Sequence, residues 1–224
     1  MKKLTFYHSI VFLLVVFSIA YSQPRLGIIG GLNVSDLKIS VETVRDANSI
    51  KNFGCGGILE FKLFDNLLLS LQPMYIQKGA IVESSEFQPQ MEWNMEVLEI
   101  PVLLKLDFGD QIRPYFLLGP EVGFILSSEI TAEIDDLTLQ GDFSPVTRPV
   151  DYSLGLGAGI NFQLGTATVF FESRYATGLT DLTNGGIFQV SAGPLILEGT
   201  VDPEDEAITK GFQFYTGITI PLKW

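Results

Sequence analysis

The sequence predicts an all-β fold: a single closed antiparallel up-and-down transmembrane β-barrel of eight strands, with short periplasmic turns and long extracellular loops. Three observations carry this expectation. The 224-residue chain is 46% hydrophobic and 18% charged, yet its one long apolar run lies at the very start. Several later segments alternate apolar and polar residues with period two, as strands with one face in lipid and one in a lumen should. The links between those segments alternate short and long.

The start of the chain reads as a signal peptide. Met1, Lys2 and Lys3 form a basic beginning, Ile10 to Ile19 a short apolar stretch, and Ala20 and Ser22 are small residues ahead of Gln23. This is the anatomy of a secretory leader. Residues 1–22 are therefore expected to be removed by cleavage between Ser22 and Gln23, leaving 23–224 as one barrel domain. The apolar run is short of the ~20 residues a spanning helix needs, and no cysteine follows closely, as a lipoprotein would require. Beyond Gln23 there is no uninterrupted apolar stretch of ~18 residues. The remaining hydrophobicity is spread over short segments, with 22 glycines and 17 phenylalanines, which favours a membrane barrel over a helical bundle.

In chain order, a first strand is expected from about Leu26 to Val34, with Gly27, Gly31 and Asn33 inward. Next, Phe53, Cys55, Gly57, Leu59, Phe61 and Leu63 oppose Gly54, Gly56, Ile58, Glu60 and Lys62. Leu67, Leu69, Leu71, Pro73 and Tyr75 oppose Leu68, Ser70, Gln72, Met74, Ile76 and Lys78. Leu98 to Leu106 alternate with Glu99, Pro101, Leu103 and Lys105, and Phe116 to Phe124 with Tyr115, Leu117, Gly119, Glu121 and Gly123. The cleanest alternation is Asp151 to Gln163, where Tyr152, Leu154, Leu156, Ala158, Ile160 and Phe162 share one face against Asp151, Ser153, Asn161 and three glycines. A helix would instead space its apolar residues three and four apart. Val169, Phe171, Ser173 and Tyr175 oppose Glu172 and Arg174, and the last strand runs from Phe212 to an outward terminal Trp224. Short links sit near Phe64-Asp65-Asn66, Phe108-Gly109-Asp110 and Gly165-Thr166. Long polar links are expected at Ser35 to Asn52, Ala80 to Glu92, Ser127 to Pro149 and Gly178 to Thr209. Pro73, Pro101, Pro114, Pro120 and Pro221 stand against the pattern, because each removes a ladder donor.

Composition also excludes functions. Net charge is −12, the wrong sign for a nucleic-acid partner, whose phosphates demand basic surface. The single histidine, His8, falls in the expected leader. A mature chain without histidine has no Ser–His–Asp hydrolysis, no histidine general base and no His-ligated metal. The chain is thus expected not to be an enzyme and to need no cofactor, carboxylate-only chemistry being what remains. Cys55 is alone and cannot form an internal disulfide; a small side chain on a strand is its simplest role.

The charged residues on inward positions are Glu60, Lys62, Lys78, Glu99, Lys105, Glu121, Glu172 and Arg174. The interior of an eight-stranded barrel is just wide enough for side chains to fill, and charges buried there must pair. A plug of ion pairs is expected. The inward glycines keep a narrow path for an ion or small solute as the alternative. Acidic residues gather in two links: Glu129, Glu133, Asp135, Asp136 and Asp142, then Asp202, Glu204, Asp205 and Glu206. Hard cations favour such oxygen ligands, but the spacing matches no calcium loop, and a solvated rim is the simpler reading.

Gly27-Ile28-Ile29-Gly30-Gly31-Leu32-Asn33, Leu69-Ser70-Leu71-Gln72-Pro73 with Tyr75 and Gln77-Lys78-Gly79, Leu98-Glu99-Ile100-Pro101 with Lys105, Pro114-Tyr115 with Gly119-Pro120, and Arg174-Tyr175 with Gly178-Leu179 thread nearly the whole mature chain. In these stretches the chain resembles the outer-membrane β-barrel family of Bacteroidetes-type bacteria that includes the PorT-like, porin-like small barrels. Met74 departs from the acidic residue that members often carry after the Gln-Pro pair. The resemblance implies an integral outer-membrane protein surrounded by lipid, makes strand prolines habitual, and implies little about activity, because the family is functionally mixed. The outward terminal Trp224 looks like the signal read by the barrel assembly machinery. The sequence thus points to a structural or interaction barrel that displays acidic loops and docks an envelope protein partner. A narrow pore or solute-binding barrel is the second reading. A soluble barrel of lipocalin type, with apolar residues inside, is the third.

Overall fold

The computed structural model describes residues 23–40, 44–84, 90–134, 137–192 and 195–222. The expected leader, including His8 and Ser22, lies outside the described residues, as do Asp135, Asp136 and Trp224. Apart from one short 3-10 turn at Ser144–Val146, the regular structure among the described residues is all strand.

Twelve strands follow in order: β1 Arg25–Ser40, β2 Val44–Lys62, β3 Leu67–Leu71, β4 Met74–Ser84, β5 Gln90–Asp107, β6 Ile112–Ile134, β7 Leu137–Asp142, β8 Val150–Leu164, β9 Ala167–Gly178, β10 Gly186–Ala192, β11 Leu195–Val201 and β12 Glu206–Pro221. Every ladder is antiparallel. From β1 the pairing passes to β2, to β3 and β4, then to β5, β6, β8, β9, β12 and back to β1. This is a ring of eight positions, one of them shared by β3 and β4. The expected count of eight thus describes the ring and not the strands. The other three strands, β7, β10 and β11, extend the sheet from the loop-side half of β6.

The short links are found where expected, between β2 and β3, β5 and β6, and β8 and β9. Gly165 has φ +63° and Gly109 φ +94°, the left-handed conformations that tight hairpins need and that a β-branched residue resists. The expected long polar links are different. β1 runs to Ser40, β2 begins at Val44, β6 continues to Ile134, and β7, β10 and β11 fill much of the rest. Beyond the apolar stretches the strands continue with polar residues on their outer face, so polarity there marks hydration rather than loop.

The strand prolines coincide with gaps in the ladders. Pro73 lies in the break between β3 and β4, and its carbonyl accepts the Gly57 amide at 3.0 Å. Pro101 faces the same break, its carbonyl accepting the Gln72 amide at 3.1 Å. Pro120 falls where the β5–β6 register skips from Pro101↔Glu121 to Leu104↔Leu118. Pro114 and Pro221 stand near or at strand ends. A missing N–H costs nothing where no acceptor waits for it.

The two faces segregate. Outward, Tyr152, Leu154 and Leu156 on β8, Leu104 and Leu106 on β5, Phe116 and Leu118 on β6 and Phe212 and Phe214 on β12 are all exposed. Inward, Asp151, Ser153, Asn161, Glu121 and Gln213 are buried. Near the loop end the interior becomes apolar. Trp93, Phe143, Val146, Leu182, Val201 and Ala207 belong to one buried cluster. Trp93 and Phe143 pack edge to face at 5.0 Å between centroids, as do Phe143 and Phe188 at 4.8 Å.

Candidate functional site: a charge network inside the ring

Because strand residues alternate faces, the inward charges take the parity opposite to the outward apolar residues of their strands. Seven of the eight sequence-selected charges meet inside the ring, each at most 4% exposed: Glu60, Lys78, Glu99, Lys105, Glu121, Glu172 and Arg174. Lys62 stands apart at the turn-side rim. Its side chain is 56% exposed and its Nζ lies 3.3 Å from Asp65 Oδ1.

The network has three connected layers. Toward the loop end, Lys78 Nζ, from β4, lies 3.3 Å from Glu99 Oε1 on β5 and 3.4 Å from Asp151 Oδ2 on β8. Thr209 Oγ1, from β12, donates to the same Asp151 oxygen at 3.0 Å. In the middle, Arg174 on β9 joins β6, its own strand and the break between β3 and β4. Nη1 donates to Glu121 Oε1 at 2.9 Å, and Nη2 donates to Glu172 Oε1 and to Gln72 Oε1. Tyr115 OH donates to the other Glu172 oxygen at 3.0 Å, and the Tyr215 ring lies 5.4 Å from the Arg174 carbon. Toward the turn end, Lys105 Nζ donates to Glu60 Oε1 at 2.8 Å and to Asn161 Oδ1 at 3.2 Å, with the Tyr115 ring centroid 3.9 Å away. Arg25 Nε stands 4.0 Å from the second Glu60 oxygen, and Arg113 Nη1 3.5 Å from Asp107 Oδ2.

Each buried cation therefore has a carboxylate and a second polar or aromatic partner, the condition under which ion pairs persist away from water. Five cations (Arg25, Lys78, Lys105, Arg113, Arg174) face six carboxylates (Glu60, Glu99, Asp107, Glu121, Asp151, Glu172). The interior is nearly neutral, so most of the chain's net charge of −12 is carried elsewhere. Glycines make room for the bulk. A Cβ at Gly155 would meet Glu121 Oε1 at 2.2 Å, and one at Gly159 would meet the Tyr115 ring at 2.3 Å.

Gln72, Asp151, Asn161, Thr209, Asp107, Arg113 and Arg25 join the network without having been singled out in the sequence. Their signal was inward parity, which Gln72, Asp151 and Asn161 already showed. Below Glu60 and Asn161 the turn-side mouth opens into a cavity of about 600 Å³, bordered by Gln23, Arg25, Asp107 and Arg113. The acidic loop residues do not converge: among the described residues no group of three or more carboxylate, histidine or cysteine ligands comes together. Asp142 instead accepts hydrogen bonds from the Ser144 hydroxyl and, at 2.9 Å, from the Ser144 amide, which hold its carboxyl below the usual range. Asp202 and Asp205 brace their own turn. Cys55 is exposed on the outer face of β2.

Residues 21–184 match the family model described as outer membrane protein beta-barrel domain. The chain belongs to this family. It is an integral outer-membrane barrel protein. Among solved structures, the chain is similar to Neisserial surface protein A (NspA) at 11% identity and TM-score 0.46, covering 90% of this chain and 98% of that one. It is similar to Ail, the attachment invasion locus protein of Yersinia pestis, at 12% identity and TM-score 0.40, covering 88% and 99%. It is also similar to the outer membrane protease OmpT of Escherichia coli, at 8% identity and TM-score 0.39, covering 90% and 97%. No curated protein matches the chain in sequence.

Proposed function

We propose that this chain is a non-catalytic structural or interaction barrel: a closed eight-stranded tube with its short turns in the periplasm and its strand extensions at the cell surface. The PorT-like resemblance, with its Bacteroidetes-type source, belongs to the same reading. The outer face supports the placement in lipid. Its apolar belt covers nine residues on β5, Leu98 to Leu106, and nine on β12, Phe212 to Ile220, close to the ~9–11 a tilted spanning strand needs. At the loop end the belt gives way to Asp36, Lys51, Glu92, Glu96 and Glu129 on outward positions.

One observation carries the plugged reading: the Arg174 side chain, 1% exposed, bridges β3–β4, β6 and β9 across the middle of the lumen. A through path would have to break that bridge and strand Glu121 and Glu172 without their cation. Such a barrel contributes by what it displays. The acidic loop-end surface would dock an envelope protein partner, and assembly would be directed by Trp224 acting as a signal for the barrel assembly machinery. The turn-side cavity of about 600 Å³ favours a second reading, a solute-binding transport barrel. Planar-bilayer recording of the full mature chain decides between them. No steady current is expected, and a steady single-channel current would overturn the plug. Replacing Trp224 by Ala is expected to lower the outer-membrane yield, and an unchanged yield would remove the assembly role.

A further inference from the structure

Outside the lumen, the basic residues are distributed unevenly around the ring. At the loop end, the wall formed by β12, β1 and β2 carries Lys210, Lys38 and Lys51 on its outward face. Across the ring, β5 and β6 carry Glu92, Glu96, Glu129 and Glu133 on theirs. A chain with 26 acidic residues against 14 basic ones thus concentrates positive charge on one side.

Register brings these three lysines together. Val34 faces Lys51 across the β1–β2 ladder and Phe212 across the β1–β12 ladder. Asp36, two residues on, faces Lys210, and Lys38 follows two residues later on the same face. Direct cross-strand partners stand ~5 Å apart and diagonal ones ~7–8 Å, so the three lysines are anchored around Asp36 on one face. Lys210 Nζ lies 3.2 Å from Asp36 Oδ2. Glu206, exposed and diagonal to Lys38, adds a second carboxylate on this face; the three lysines still outnumber the two, and Lys38 and Lys51 are exposed. Immediately toward the turn end lie Leu32, Phe53 and Phe212, all exposed and part of the apolar belt.

We propose that Lys38, Lys51 and Lys210 form a binding site for the phosphate of a lipid whose headgroup carries net negative charge, at the loop-side edge of the membrane. The site rests on the membrane-spanning reading. Acyl chains would lie along Phe53 and Phe212 while the phosphate meets the lysines one to two residue pairs higher. Each lysine near such a surface is worth about fivefold in affinity, and Asp36 and Glu206 offset part of the total. The glutamates across the ring repel the same group, so the lipid is held on one wall only.

Native mass spectrometry of the delipidated full mature chain, in neutral detergent with equal amounts of phosphatidylglycerol and phosphatidylcholine, tests this. The natural chain should retain phosphatidylglycerol preferentially. The Lys38→Gln/Lys51→Gln variant should reduce that preference by about thirtyfold, Lys38→Arg/Lys51→Arg should keep it, and Glu92→Gln/Glu129→Gln should leave it intact. Equal retention of both lipids by the natural chain, or an undiminished preference in the Gln variant, overturns the site. Carbonate washing of native membranes separates the two levels. Release into the wash overturns the membrane placement itself, and retention without lipid preference overturns the phosphate site alone.

Discussion

Arg174 shows how much one side chain can hold in a low-dielectric interior. It satisfies Glu121, Glu172 and Gln72 from one planar group, the geometry for which guanidinium suits better than ammonium. Arg174→Ala leaves two carboxylates buried without a counter-charge, and a loss of about 3–5 kcal/mol is expected. The urea midpoint of the folded chain in micelles measures it. Arg174→Lys should recover only part of the loss, because a point charge cannot serve three acceptors in one plane. Outside the membrane, Asp181 gives a pH dependence. Partial burial works against its charged form. Amides of Ala207 and Thr183, the Thr183 hydroxyl and nearby Arg148 outweigh that and hold its carboxyl below the usual range. A carboxylate lowered in this way stabilises above its unfolded value near ~3.9 and loses that contribution as pH falls through the lowered folded value. Exchange of the Ala207 amide is therefore expected to stay protected at neutral pH and to rise under strong acid, with Asp181→Asn removing the dependence. At this scale the sequence showed which side chains face inward, since Glu99 and Lys105 lie between outward apolar residues. It did not show that Arg174 meets Gln72 or that Lys78 meets Asp151, because those pairings depend on register between strands far apart in the chain.

Among the elements, β6 explains most clearly why parts of the fold were legible and others were not. From Ile112 to Leu126 its even-numbered residues face out, and the alternation could be read directly. A bulge at Leu126, where Glu96 and Val97 pair with Ser127 and Ile125, shifts the phase by one residue. Beyond it Glu129 and Glu133 face out while Ile130 and Ala132 turn in. A period-two reading loses its face at such a slip, and the remainder of β6, with β7 behind it, looked like a polar link. The same boundary divides the consequences of substitution. Leu118→Arg, within the belt, should cost about 2–4 kcal/mol of folding free energy in bilayers, while the equivalent change near the interface costs about 0–1. Glu129→Arg should fall in the second class. Urea titration in phospholipid vesicles compares the two, and equal costs would count against the belt.

For the molecule as a whole, nearly balanced charge inside and acidity outside fit the proposed function, in which the lumen serves as a strut and the rim meets a partner. The ring also joins the two ends of the chain: β1 pairs with β12 from Arg25↔Pro221 to Ser40↔Glu206, without a register shift. That seam has a temporal consequence. The first strand translated cannot acquire its final neighbour until the last one has been made, so every earlier stage exposes two ribbons of unsatisfied peptide groups. Peptide groups left open in this way recruit other chains, and a carrier must shield them during export. A polypeptide ending after Gly178 should accordingly precipitate or be degraded, and adding the missing Glu206–Pro221 segment as a separate peptide should rescue it if the seam is the final step of maturation.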